Sequence, residues 1–226
     1  MADASTALKT LDSDLRGIFG TRLQSLVQYG THAQTTPHND GHGHHDPVLT
    51  HTLAVVDALT TNDLAECAKR ITGWHDEGLA TPLILPAIEL TRSLDVFPFE
   101  LSAILADHIV VSGKNPFEGL RIEPADLRWA CEVQARGHLL HLRQGYVEAR
   151  GRGDALAVLI VRSAPAWTSL LQNVARLENR PAPVDDVTKL VGVKEIANDE
   201  AVRMFPSYLD AVERLTAQVD GWSGAK

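Results

Sequence analysis

Arg22-Leu23-Gln24-Ser25-Leu26-Val27-Gln28-Tyr29-Gly30-Thr31 and Val48-Leu49-Thr50-His51-Thr52-Leu53-Ala54-Val55-Val56 decide how the chain is read. Apolar residues alternate in both runs well enough for strands over 22–29 and 48–56. The first closes on Gly30-Thr31. The polar, Gly/Pro-punctuated stretch that follows, 31–47, reads as a loop. Two strands joined by a Gly-Thr turn and a long polar loop make an arrangement in which a site can be built.

Outward from this pair, residues 5–20 read as a helix, with Leu8, Leu11, Leu15, Ile18 and Phe19 at helical spacing and Gly20 as its stop. Downstream, Thr61 is a candidate N-cap for a helix over 62–77, whose apolar face is Leu64, Cys67, Ala68, Ile71 and Trp74. Residues 82–85 read as a short buried strand, and Pro86 opens a short helix. Two further strand-like pieces cover 97–104 and 108–113, before the turn Gly113-Lys114-Asn115-Pro116. From about 124 onward strand signals vanish. Helices are expected over 125–150, 155–179 (with Pro165 as a kink), 185–197 and 199–219. The fold class is therefore α+β: a small mixed-sheet domain with flanking helices over 1–116, then an all-α helical bundle over 117–226.

Composition sets the outer bounds. The chain has 226 residues, 44% hydrophobic and 22% charged, which suits globular domains. A formal charge of −8 argues against general nucleic-acid binding through a basic face. Cys67 and Cys131 match no CxxC pattern and read as buried free thiols of a reducing compartment. The N-terminus lacks the basic and apolar regions of a signal peptide, and no uninterrupted apolar run suggests a membrane span. The expectation is a cytoplasmic protein with no membrane partner.

Taken together, the pattern resembles the polymerase-β-type nucleotidyltransferase superfamily, in particular small bacterial members with a C-terminal bundle like that of HEPN domains. Leu26-Val27-Gln28-Tyr29-Gly30-Thr31 resembles the family's first core strand and its Gly-Ser turn, with Thr31 for the serine. Leu53-Ala54-Val55-Val56 resembles the apolar end of the next strand, which in the family follows Asp-x-Asp. The spans 74–85, 95–101 and 136–146 are similar in character to these proteins. The resemblance implies binding of a nucleoside triphosphate, and a homodimer through the bundle as such bundles often form. In the family, two divalent ions, magnesium or manganese, sit on the Asp pair and drive nucleotidyl transfer.

The departure from that pattern carries as much weight as the match. Thr50 and Thr52 stand where the two Asp belong, with His51 between them, and a hydroxyl is a neutral, weak magnesium ligand. Gly30, Thr31, Thr50 and Thr52 are thus the degenerate nucleotide-binding positions. Asp46 and Asp57, the nearest acids, lie outside the strand. Glu100, in Phe99-Glu100-Leu101, is a candidate residual third acid and the tentative catalytic residue; an exposed strand carboxylate is the alternative.

The resemblance leaves a dense group of histidines unexplained. Six of the ten histidines fall between His32 and His51. Imidazole with carboxylate suits zinc, nickel or copper, so His42, His44, His45 and Asp46 are candidate ligands of a transition metal, zinc or nickel first. A solvated His/Gly stretch that binds metal only adventitiously is the alternative. Arg136-Gly137-His138-Leu139-Leu140-His141 has the Arg-x4-His spacing of HEPN-type ribonucleases, but lies earlier in the bundle than that motif does, and chance spacing is the simpler account. Three readings follow: a nucleotidyltransferase-fold pseudoenzyme acting through nucleotide or partner binding, an active transferase with a rearranged metal site, and a transition-metal module.

Overall fold

The computed structural model describes residues 4–30 and 49–223. It divides into two compact units, Met1–Ile122 and Glu123–Lys226. The expected boundary at 116 moves to 122, because Phe117, Leu120 and Ile122 pack into the apolar core of the first unit.

In the first unit, α1 (Ala4–Phe19) buries Ala7, Leu8, Leu11, Leu15 and Phe19 along one stripe. A 3-10 turn, Gly20–Arg22, leads into β1 (Leu23–Tyr29). Then come β2 (His51–Val56), α2 (Thr61–Ala68), α3 (Ile71–Asp76), β3 (Leu83–Pro86), α4 (Ala87–Arg92), α5 (Pro98–Ala106) and β4 (His108–Gly113). The strands form one mixed sheet in the order β3-β2-β1-β4, with β1 antiparallel to both neighbours and β2 parallel to β3.

Strand alternation sorts side chains onto two covered faces. Leu26, Ala54 and Val56 join Leu11, Leu15 and Phe19 of α1 and Cys67, Trp74 and Leu79 on one face. Val27, Leu53 and Val55 join Leu90 of α4, Leu101 and Ile104 of α5, and Phe117 on the other. Helices on both faces explain why the central strands are apolar at nearly every position rather than strictly alternating.

Two expected elements differ. The single helix over 62–77 is two helices, α2 and α3. At the break, Arg70 donates to Asp14 at 2.5 Å and the Trp74 indole N–H donates to the same carboxylate at 2.9 Å. Both groups thus meet one residue of α1. The expected strand over 97–104 is α5, a helix with Pro98 at its first position and Leu101 and Ile104 on its buried side. Phe97 and Phe99 mimic strand alternation, but Phe97 is exposed. Proline at the helix start and burial at i, i+3 settle the element.

One glycine is fixed by close approach. Gly113 has φ +84°, and a Cβ there would lie 2.0 Å from the Gln24 carbonyl oxygen. Only glycine lets the end of β4 pass β1 so closely.

The second unit contains α6 (Pro124–Ala149), α7 (Gly153–Leu177) and α8 (Asn198–Asp220), which pack pairwise. The expected helix over 185–197 is only a 3-10 turn, Thr188–Leu190. The Asp185 carboxylate accepts from the Thr188 N–H at 2.8 Å and from the Trp167 indole at 2.7 Å, and Gly192 turns the chain with φ +80°. α7 is long and apolar enough, by length and composition, to cross a membrane. Leu156, Ile160, Trp167, Leu170 and Val174 are buried along it, so in this fold it is the bundle's core helix.

Candidate functional site

At the end of the sheet where β1 finishes and β2 begins, Gln28 lies opposite Thr52 and Tyr29 opposite His51. Tyr29 also pairs with His108 of β4. Gly30 follows with φ +72°, and its N–H donates to the Asp107 carbonyl at 3.1 Å. The third member of this end is the turn after α3. Thr50 donates its N–H to the Gly78 carbonyl at 2.9 Å and accepts from the Ala80 N–H at 3.0 Å.

The two faces of this end differ in chemistry. Tyr29 belongs to the core on the α5 side, and its ring lies 5.7 Å from that of His51. Burial pushes the Tyr29 phenol up to about 12, so it stays protonated and neutral. His108 directs Nδ1 at the carbonyls of Ile104 and Leu105, at 3.2 and 3.1 Å. Two carbonyl acceptors require Nδ1 to carry a proton.

Thr50 and Thr52 face the other way. Alternation from Ala54 and Val56 puts them on the α1/α3 side. Thr52 is 0% exposed, and its hydroxyl has no hydrogen-bond partner. Glu77, half-buried, ends α3 and stands in sequence between Trp74 and Leu79, both members of that core. One of its carboxylate oxygens, Oε2, is buried without a partner. Reading the sequence alone passed over Glu77, because a glutamate at a helix end looks like any solvated acid. Its signal is its position immediately before the glycine that pairs with Thr50.

Glu100 is elsewhere. It is an exposed residue in the first turn of α5, and α5 packs on the opposite face of the sheet from Thr50 and Thr52. It is therefore a helical carboxylate rather than a strand one. Thr31 and the candidate metal ligands His42, His44, His45 and Asp46 lie outside the described residues.

Thr50 and Thr52 do not fit the pair of divalent ions that the sequence resemblance implies. They supply neutral hydroxyls where such ions need carboxylate charge. Among the described residues, no group of three or more His, Cys, Asp or Glu side chains is placed to hold a metal ion.

In the second unit, Arg136 and His141 are five residues apart, about 140° around a helix, so they do not share a face of α6. Arg136 is held by Glu132 at 2.9 Å and Asp220 at 2.8 Å. Arg136 and Arg128 hold the Glu132 carboxyl below its usual range. His138 is the buried member of this stretch. Its Nε2 lies 2.6 Å from the Tyr208 hydroxyl, which lies 3.0 Å from Ser163 Oγ, and Ser163 donates to the Ile160 carbonyl. With the Ser163 proton committed, Tyr208 donates to Ser163 and His138 Nε2 donates to Tyr208, which fixes the tautomer. Trp167 is buried, whereas Trp129 is 59% exposed on the outward side of α6 and is not a core residue. Cys67 and Cys131 are free and buried. Burial raises both thiols, Cys131 to about 12.

No family model and no curated protein matches the chain. Among solved structures, it is similar to spectinomycin adenyltransferase AAD(9) from Enterococcus faecialis, solved with ATP and spectinomycin. Identity is 13%, the match covers 94% of this chain and 99% of that one, and the TM-score is 0.48.

Proposed function

We propose that this is a nucleotidyltransferase-fold protein that binds a nucleoside triphosphate at the Gly30–Thr52 end of its sheet and no longer transfers the nucleotidyl group. The observation that carries the reading is the placement of Thr50 and Thr52. Thr50, just before β2, and Thr52, within it, occupy same-face positions two residues apart, beside the positive-φ Gly30 that follows β1. That is where the resemblance puts the carboxylate pair, and the hydroxyls at these positions carry no charge. Glycine at the strand end leaves the backbone open to close approach by a phosphate. Without carboxylates, the two ions that stabilise both the attacking and leaving oxygens have nothing to hold them.

The test is a calorimetric titration of ATP with magnesium into untagged, metal-free protein, paired with an assay for pyrophosphate release using magnesium or manganese. Saturable binding without release supports the reading. Absence of heat at concentrations able to detect a Kd of about 1 mM overturns it. Release that disappears in Glu100→Gln overturns it in the other direction, in favour of an active transferase with a rearranged site.

A further inference from the structure

α6 carries apolar residues on two sides. Leu127, Cys131, Ala135, Leu142 and Ala149 face the bundle and are buried. On the outward side, Trp129, Val133, Leu140 and Val147 are 59%, 50%, 59% and 74% exposed. At about 100° per residue these four fall within about 40° of one another around the helix. They form one stripe along most of α6. Single exposed apolar side chains need no explanation, whereas an aligned row marks an interaction face.

The spacing says what kind of surface covers it. Val133, Leu140 and Val147 recur every seven residues, the repeat of a coiled-coil seam. Ala130, Gly137 and Gln144 recur at the same interval, three residues ahead, and complete the seam. A Cβ at Gly137 would meet nothing within 4 Å. Glycine inside a helix costs about 1 kcal/mol against alanine. No close approach within the chain calls for it, but a second helix lying on this stripe does.

We propose that this face is a two-fold interface, on which α6 pairs in parallel and in register with α6 of a second copy of this chain. Charge selects both the partner and the direction. Arg136, Arg143 and Arg150 flank the seam on one side, and Gln134, His141 and Glu148 on the other. In a parallel pair, unlike flanks of the two helices meet, offset by five residues. Arg143 then faces Glu148 of the second copy. Both side chains are exposed, and the Arg143 link to Glu213 at 2.8 Å leaves further guanidinium N–H groups to donate. An antiparallel pair centred on Leu140 sets the arginine row against itself and Glu148 against Gln134, so it gains no ion pair. At the seam, Gln144 meets its own copy, where one amide donates and the other accepts. A polar residue at such a position fixes register.

The experiment is sedimentation equilibrium on the full-length, untagged protein over a concentration series, for wild type and Leu140→Glu. Wild type is expected to form a dimer that dissociates on dilution, with a Kd of order 10 μM. Leu140→Glu should weaken association by about tenfold or more and leave the melting temperature of the dilute monomer unchanged, because the side chain it replaces is exposed. Direction is read by oxidative cross-linking. Val147→Cys should form a disulfide with its own copy wherever wild type dimerises, and wild type, whose Cys67 and Cys131 are buried, should not.

A wild-type protein that stays monomeric at about 200 μM overturns the proposal and leaves the stripe to a different protein. So does a Leu140→Glu variant that dimerises like wild type. Disulfides that join Val133→Cys to Val147→Cys in a mixture, with no self-linking of Val147→Cys, mean an antiparallel pair and overturn it as well.

Discussion

Arg22, the last residue before β1, grips Asp63 in the first turn of α2 through two parallel hydrogen bonds of 2.8 and 2.7 Å. The same carboxylate accepts from the N–H and hydroxyl of Thr60, and the Thr60 hydroxyl accepts from the Asp63 N–H. One side chain thus completes the cap of α2 and ties that helix to the start of the central strand. Arg22 also donates to the Ala58 carbonyl at 3.1 Å, so the link spans the whole turn after β2.

Asp63→Ala is expected to remove the cap and strand Arg22, lowering the melting temperature at neutral pH by at least about 5 °C. Arg22 and Thr60 hold the Asp63 carboxyl well below the usual carboxylate range. As pH falls through about 4, the unfolded chain takes up this proton before the folded chain does. The contribution is therefore complete above pH 4 and drains away below it. Thermal melts of wild type and Asp63→Ala at pH 7 and pH 3 should show the gap between them narrowing at the lower pH.

Gly113→Ala tests the close pass of β4 over β1. Its Cβ would meet the backbone at Gln24, and φ +84° disfavours any side chain. A loss of about 2 kcal/mol or more is expected in urea unfolding. Alanine at Gly119, which also has positive φ but nothing within 4 Å of a Cβ, should cost less.

His138 makes the second unit sensitive to mild acid. Burial, with His141 nearby, lowers its pKa from 6.5 to about 4. The unfolded chain therefore binds this proton first as pH falls below about 6.5, and stability declines between pH 6.5 and 4. The full effect is at most about 3 kcal/mol. Wild-type stability measured across that interval should slope accordingly, and His138→Phe should flatten the slope. Tyr208→Phe, which breaks the hydrogen-bond chain to Ser163, should cost about 1–2 kcal/mol.

Glu100→Gln is expected to leave nucleotide affinity within about twofold of wild type, because α5 packs on the face opposite Thr50 and Thr52. Calorimetry on this variant beside wild type checks it.

Much of the fold was legible in the sequence because local pattern and tertiary demand agreed. Leu8, Leu11, Leu15 and Phe19 announce α1 and are all buried. The apolar runs through Leu26-Val27 and Leu53-Ala54-Val55-Val56 announce two neighbouring central strands. Signals failed where a single contact or one proline outweighed periodicity. The pull of Asp14 on Arg70 and Trp74 accompanies the split of the expected helix over 62–77. Pro98 with Leu101 and Ile104 made a helix of a stretch whose aromatic residues alternate. At the candidate site, the strand pairing that ends beside Gly30 and runs through Thr52 was legible, whereas the buried, unpartnered oxygen of Glu77 was not.

Sequence by itself determined α1, the two central strands β1 and β2, the three long helices of the second unit, the absence of a carboxylate pair before Leu53, and the negative balance of the chain. These follow from the period of apolar residues and from residue identity, which need no coordinates. Only the tertiary structure decided which face of the sheet each helix covers. Strand alternation points Thr50 and Thr52 toward α1 and α3, the packing of α5 takes Glu100 to the other side, and the Gly78–Thr50 hydrogen bond brings the turn after Glu77 alongside β2. That choice depends on pairings between residues more than 20 positions apart, and no local propensity encodes it.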